Sequence, residues 1–356
     1  MKKVIVGMSG GVDSAVAAYL LKQEGYDVVG VTLRTWVASD GGDGRCCEID
    51  DARETARSIG IPFHVFNCVS DFDEKVVKPF VGAYLRGLTP NPCVVCNREI
   101  KWARLLYHAD VLGADFVATG HYASVVRLDN GRFTVRRALH AEKDQTYMLC
   151  RLAQEQLSRT LMPLGGYSKQ EVRAIAERAG IKVASKPDSQ EICFVADGDY
   201  ADFIAGREGV SLPPEGDFVD GAGNVLGRHR GIVRYTVGQR RGLGVAIGRP
   251  AYVKRLDAER NEVVLGTEEE LRCRAVECAD MNFMSVPEPV EKLRCRAVVR
   301  YSHAARPATV ESLGGGRYRV AFDEPVRSAA PGQSAVFYDE NDCLMGGGTI
   351  TDVLYD

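Results

Sequence analysis

The chain has 356 residues, 45% apolar and 26% charged, which is ordinary for a soluble globular protein and allows two or three domains. Its 45 Lys and Arg against 48 Asp and Glu give a net charge of −3, so any nucleic-acid site must be a local patch rather than a global property. No stretch approaches the roughly 20 apolar residues of a membrane helix, and the run after Met1-Lys2-Lys3 is too short for a signal-peptide core; a cytoplasmic protein with no membrane partner is expected, its eleven cysteines serving as thiols, metal ligands or catalytic groups rather than structural disulfides.

Val4 to Met8 is an apolar, strand-like run, and Ala15 to Leu21 reads as a helix. Between them stands Ser9-Gly10-Gly11-Val12-Asp13-Ser14. Strand, glycine-rich turn and helix is the layout that places backbone N–H groups around a phosphate at a helix N-terminus. The run has no Lys, so it fits neither the Gly-x-x-x-x-Gly-Lys-Ser/Thr loop nor the dinucleotide fingerprint. It resembles the pyrophosphatase-type loop of enzymes that split ATP into AMP and pyrophosphate to activate an oxygen atom. A second apolar run, Val28 to Leu33, suits a parallel strand buried on both faces. The spacing predicts a helix over Ile49–Ile59 stopped by Gly60, a strand at Pro62–Phe66, a helix from Phe72 to Leu85, and a strand at Asp115–His121 that ends in a glycine turn. This alternation argues a doubly wound parallel α/β sheet with its site at the carboxyl ends of the strands. A further helix over Ser168–Ala179 is expected, with Ser168 as cap and Glu171 three residues on.

After about Gly206 glycine and proline become frequent and helical periodicity ends. Short β-type runs recur at Arg294–Tyr301, Ala308–Ser312, Arg317–Phe322 and Ala335–Tyr338, separated by turn residues, and suggest a small β-barrel. The near-repeat Leu271–Val276 and Leu293–Val298 reads as coincident strand pattern, not repeat architecture. Three domains are expected: 1–206 catalytic, 207–272 small and central, 273–356 barrel.

Thr89-Pro90-Asn91-Pro92-Cys93-Val94-Val95-Cys96-Asn97 packs two prolines and a Cys-x-x-Cys into nine residues. Its thiols are expected near the N-terminus of a helix starting around Arg98, where thiolate is favoured. Cys193 is the third cysteine of interest. Cys46, Cys47, Cys68, Cys150, Cys273, Cys278, Cys295 and Cys343 are read as buried thiols. Cys93, Cys96 and Cys193 are too few for a four-ligand zinc site. With one position left open they would suit an iron–sulfur cluster.

In chain order stand Gly7-Met8-Ser9-Gly10-Gly11-Val12-Asp13-Ser14, Thr89-Pro90-Asn91-Pro92 with Cys96-Asn97, Ala118-Thr119-Gly120-His121-Tyr122, Lys143-Asp144-Gln145-Thr146-Tyr147, Ser189-Gln190-Glu191-Ile192-Cys193-Phe194, and Pro331-Gly332-Gln333 with Gly346-Gly347-Gly348. Together they closely resemble the tRNA-specific 2-thiouridylases over essentially the whole chain. The resemblance implies an adenine nucleotide alpha hydrolase-like first domain. It also implies sulfur transfer to the 2-position of the wobble uridine in a tRNA anticodon stem-loop, after ATP adenylates that oxygen. By the same resemblance, Gly7 to Ser14, Leu33 and Gly120 would bind ATP, and Asp13 would contact Mg²⁺. Cys193 would carry the persulfide, and Cys96 would be the nucleophile that releases its sulfur by forming a disulfide with it. Asn91, Pro92, Cys93, His121, Lys143, Asp144, Gln145, Arg300, Tyr301 and Gln333 would meet the tRNA or its target base. The sulfur would come from a persulfide donor, a cysteine desulfurase or a sulfur-relay protein, to a monomeric enzyme. Many members of the family carry Asp where Cys93 stands, so either acid–base help comes from elsewhere or Cys93 joins Cys96 and Cys193 as an iron–sulfur ligand.

Arg228, His229, Arg230, Arg234, Arg240 and Arg241 fall within fourteen residues that contain no acid. With Tyr235 and the intervening glycines they read as an exposed, adaptable loop suited to RNA phosphates. Arg294, Arg296, Arg300 and Arg306 form a second basic cluster. Two other readings are open to the sequence. An AMP-forming ligase or amidotransferase acting on a small molecule would not need the thiols. A non-enzymatic, nucleotide-binding metal or redox sensor would release no pyrophosphate with tRNA.

Overall fold

The computed structural model describes residues 1–37, 48–182, 192–195, 199–245, 247–289 and 291–355. Cys46, Cys47 and the stretch Lys186–Glu191 fall outside the described residues. The chain divides into two compact units. The first comprises Met1–Val77, Pro92–Gly198 and Asn341–Leu344; the second comprises Lys78–Asn91, Asp199–Glu340 and Met345–Asp356.

The first unit is built on five parallel strands: β1 (Lys3–Gly7), β2 (Asp27–Arg34), β3 (Phe63–Asn67), β4 (Phe116–Thr119) and β7 (Thr160–Leu161). Their order is β3-β2-β1-β4-β7. Val4, Ile5 and Val6 are fully buried, as a central parallel strand covered on both faces requires. A hairpin of β5 (Ala123–Arg127) and β6 (Phe133–Arg137) follows β4, and Arg136 bridges to Cys343 within the same unit. Gly7 stands opposite Val31 of β2 on one side and Thr119 of β4 on the other. The order of the sheet reverses at β1, so the loops after β1 and β4 open the crevice where α/β sheets bind ligands.

Local sequence accounts for the flanking helices. Ile49–Ile59 is helical and stops at Gly60, whose φ of 72° is the left-handed cap conformation. Lys169–Arg178 is capped by a reciprocal box, Ser168 Oγ accepting from Glu171 N–H and Glu171 accepting from Ser168 N–H. One expectation fails. The helix carrying the Cys-x-x-Cys begins at Pro92 and runs to Cys96, not around Arg98. Pro92 takes the first helical position, where its missing N–H costs nothing. Asn97–Trp102 then continues as π-helix, and a second π-helical stretch spans Asp73–Val77.

The second unit holds two β structures. In the smaller, β8 (Gly216–Val219), β9 (Val225–His229), β10 (Tyr252–Asp257) and β11 (Glu262–Gly266) form a sheet ordered β10-β11-β8-β9. The larger is a closed six-stranded barrel: β12 (Arg272–Phe283), β13 (Leu293–Val298), β14 (Arg306–Gly314), β15 (Arg317–Arg327), β16 (Ser334–Tyr338) and β17 (Leu344–Tyr355). Ring order β12-β15-β14-β13-β16-β17 sets β12 and β13 opposite each other. The two Leu-Arg-Cys-Arg-Ala-Val copies therefore serve as separate staves, Cys273 and Cys295 facing in. Burial pushes the Cys278 and Cys295 thiols up to about 12, as inert core cysteines should be.

Candidate active site

The Ser9–Ser14 loop is tied by its own serines. Ser14 Oγ accepts from Ser9 N–H at 3.1 Å and donates to the Gly11 carbonyl at 3.1 Å. Gly10 has φ +84°, and a Cβ there would lie 2.6 Å from Glu48. Gly120, after β4, packs directly on this loop: a Cβ would stand 2.6 Å from Ser14 N and 2.7 Å from Asp13 C. Both glycines are thus dictated by the close passage of two backbones.

Beside the loop lies a cavity of about 350 Å³. Gly7, Met8, Ser9, Asp13, Ser14, Leu33 and Gly120 line it on the nucleotide side. Gly10 and Gly11 shape the turn, and Val12 is buried in the core behind it. Pro92, Cys93, Cys96, His121, Gln145 and Cys193 line the same cavity. The structure therefore brings together residues separated by more than a hundred positions, both proposed sulfur-handling cysteines among them. Gln145 is fixed by a reciprocal pair, its Oε1 accepting from Tyr122 N–H at 2.9 Å and its own N–H donating to the Tyr122 carbonyl at 3.1 Å.

Asp13 is held at the loop by two partners. Lys169 Nζ donates to both its oxygens at 2.8 and 2.9 Å, and Tyr122 O–H donates to Oδ1 at 2.7 Å. Cys93 departs from expectation. It is exposed to the cavity, yet desolvation raises its thiol, against the opposing charge of Lys101. The cavity holds this thiol protonated where a helix N-terminus in water would favour thiolate. Among the described residues no three His, Cys, Asp or Glu side chains are placed to hold a metal ion. Cys93, Cys96 and Cys193 line one cavity. His121 is pushed down to about 3 by burial and then by Lys101. It is a neutral imidazole whose Nδ1 lies 2.8 Å from Thr119 Oγ1.

Asp144 accepts from Thr146 O–H at 2.7 Å and Ala138 N–H at 3.1 Å, and burial raises its carboxyl. Lys143 is half-buried. In the second unit, Gln333 is 8% exposed and its Nε2 donates to the Thr89 carbonyl at 2.9 Å. It holds the Thr89–Asn91 loop. Arg300 is half-buried and donates to the carbonyls of Ser328 and Val237, while neighbouring Tyr301 is 47% exposed. Arg228 to Arg241 is not one adaptable loop. His229 and Tyr235 are buried, Arg228 pairs with Asp217 and Arg234 with Asp202, whereas Arg240 and Arg241 are exposed.

Sequence reasoning missed Lys101, Lys169, Phe72 and Val76. Only Lys169 carried a signal, being the residue directly after the Ser168 cap on a helix that packs against the helix following the loop.

A parallel sheet with an ATP-type loop at its switch point, a cavity walled by thiols, a small β domain and a closed barrel define the class of multi-domain nucleotide-loop enzymes. The family model for a tRNA methyl transferase HUP domain matches residues 2–197, that for a tRNA methyl transferase PRC-barrel domain residues 201–267, and that for an aminomethyltransferase beta-barrel domain residues 273–350. The chain is 50% identical to the tRNA-specific 2-thiouridylase MnmA of Lachnoclostridium phytofermentans, covering 98% of this chain and 99% of that one. It is 47% identical to the protein of the same name from Clostridioides difficile, covering 98% of each. The chain belongs to the tRNA-specific 2-thiouridylase family.

Proposed function

We propose that the protein uses ATP to replace the 2-oxygen of a tRNA wobble uridine by sulfur. The observation that carries this is the single cavity lined by the Ser9–Ser14 loop, Cys96 and Cys193. A uracil carbonyl oxygen is a poor leaving group. ATP, entering as its magnesium complex, is attacked at its α-phosphate by O2, and pyrophosphate leaves toward the loop N–H groups. The terminal sulfur of a Cys193 persulfide, delivered by a donor protein, then bonds to C2 as the C2–O2 bond breaks and AMP departs. Cys96 thiolate attacks Cys193 Sγ, the bond between that atom and the transferred sulfur breaks, and the sulfur remains on C2. Two electrons have passed from the two cysteines to the sulfur. The product disulfide between Cys96 and Cys193 is reset by an external thiol reductant. For the target base to reach these thiols it must leave its stack.

The raised thiol of Cys93 suits it to donate a hydrogen bond or proton rather than accept one. The protein is read as a cytoplasmic monomer. The test is tRNA-stimulated conversion of ATP to AMP together with 2-thiouridine in the digested RNA. Cys193→Ser and Cys96→Ser should each abolish 2-thiouridine, while both retain ATP binding. Full thiolation by Cys193→Ser would overturn the reading.

A further inference from the structure

Lys101 lines the same cavity as Cys93, Cys96, Cys193 and His121, and among the described lining residues it is the only Lys or Arg. Backbone geometry puts it there. Asn97–Trp102 is π-helical, a pairing that joins residues five apart, and Cys96 and Lys101 are five apart. On an α-helix the neighbours along a face are three or four apart. The widened turn thus brings Lys101 to the cavity side of Cys96, while Ile100 and Trp102 stay fully buried. The other titratable groups of the cavity cannot supply a cation. His121 is neutral, Cys93 is a protonated thiol, and Asp13 is paired with Lys169.

Sulfur transfer needs anions in this space. Negative charge moves from the terminal persulfide sulfur to AMP as the C2–O2 bond breaks. It then moves from the Cys96 thiolate to the sulfur left on C2 as the bond between Cys193 Sγ and that sulfur breaks. Each anion forms where water is scarce, and there a fixed ammonium stabilises it far more than in bulk solvent. We propose that Lys101 is the residue that holds the Cys96 thiolate and the Cys193 persulfide in their anionic forms. The proposal rests on the sulfur-transfer reading and extends it to a residue outside the cysteine pair.

The experiment compares wild type with Lys101→Met, Lys101→Gln and Lys101→Arg. Alkylation of each cysteine is followed by mass spectrometry across a pH series, alongside ATP binding and tRNA thiolation. With ATP binding intact, Lys101→Met and Lys101→Gln should move the alkylation midpoint of Cys96 up by about one pH unit. Their thiolation should slow about 100-fold at neutral pH and partly recover in alkali. Lys101→Arg should retain most of the rate. Unchanged alkylation midpoints in both neutral variants, or Lys101→Arg as slow as Lys101→Met, would overturn the proposal. If the wild type made no 2-thiouridine while the midpoints still shifted, the sulfur-transfer reading would fail and the electrostatic role of Lys101 would stand.

Discussion

His121 shows that environment rather than residue type decides protonation. Half-buried beside Trp102, it is pushed down from its ordinary 6.5 to about 3 by desolvation and then by the charge of Lys101. Above pH 6.5 neither the folded nor the unfolded chain protonates it, and its contribution to stability is complete. As pH falls from 6.5 toward 3 the unfolded chain takes up a proton that the folded chain refuses, so this contribution is lost progressively and levels off below about 3. His121→Gln removes the linkage. Urea midpoints measured against pH should therefore decline less steeply for the variant than for wild type below pH 6.5, and parallel curves would contradict the assignment. At this scale the sequence was informative where chemistry is written in a short motif. Ser9, Asp13, Leu33, Cys96, Gly120, His121 and Cys193 do line one cavity. It was silent where a lone residue acts across the fold: Tyr122 reaches Asp13 from 109 positions away and Lys169 from 156. A single lysine carries no pattern that would announce such a partner.

Elements were legible wherever both ends are signed. The Ile49–Ile59 helix closes on Gly60, and the Lys169–Arg178 helix opens on the Ser168 box, each a local decision made by capping chemistry. The helix at Pro92 opens before the expected start around Arg98 because the first helical position tolerates proline. The π-helical stretches were not legible at all, since a widened turn depends on tertiary packing rather than on side-chain period. The exacting contact between elements at the site is Gly120 against the helix that follows the Ser9–Ser14 loop. Gly120→Ala puts a methyl 2.6 Å from Ser14 N, a backbone atom that cannot rotate away. One of the two chains must shift. Overpacking of this kind costs about 1–3 kcal/mol, and here the displaced segment is the phosphate loop itself. Calorimetric titration with ATP should show weakened binding in Gly120→Ala together with a lowered unfolding midpoint. Wild-type affinity in this variant would mean that the loop does not hold the nucleotide.

Charge at the scale of the whole chain is poorly represented by its sum. The net of −3 hides arginines, but the arginine run overstates them. Arg228 is committed to Asp217, Arg234 to Asp202 and Asp199, and in the barrel Arg294 to Asp323, acids outside the run that it cannot reveal. His229 and Tyr235 are packed into the small sheet, ring against ring with Phe218. What survives as accessible cation in that stretch is centred on Arg240 and Arg241, with Arg240 lying over the Tyr252 ring at 5.8 Å. If these two meet RNA phosphates, each contact releases condensed counterions, and affinity depends on salt in proportion to the number of contacts. Arg240→Glu with Arg241→Glu should therefore weaken tRNA binding most at low salt. It should also flatten the plot of log affinity against log salt by roughly 1.4 to 1.8 units of slope, about 0.7 to 0.9 per lost phosphate contact. ATP binding in the first unit should be unchanged, since neither arginine belongs to it. Because a salt slope counts contacts rather than affinity, it separates true phosphate partners from arginines that merely sit on a solvated face. An unaltered slope, even with weaker binding, would remove Arg240 and Arg241 from the RNA surface and leave the basic residues of the barrel to supply it.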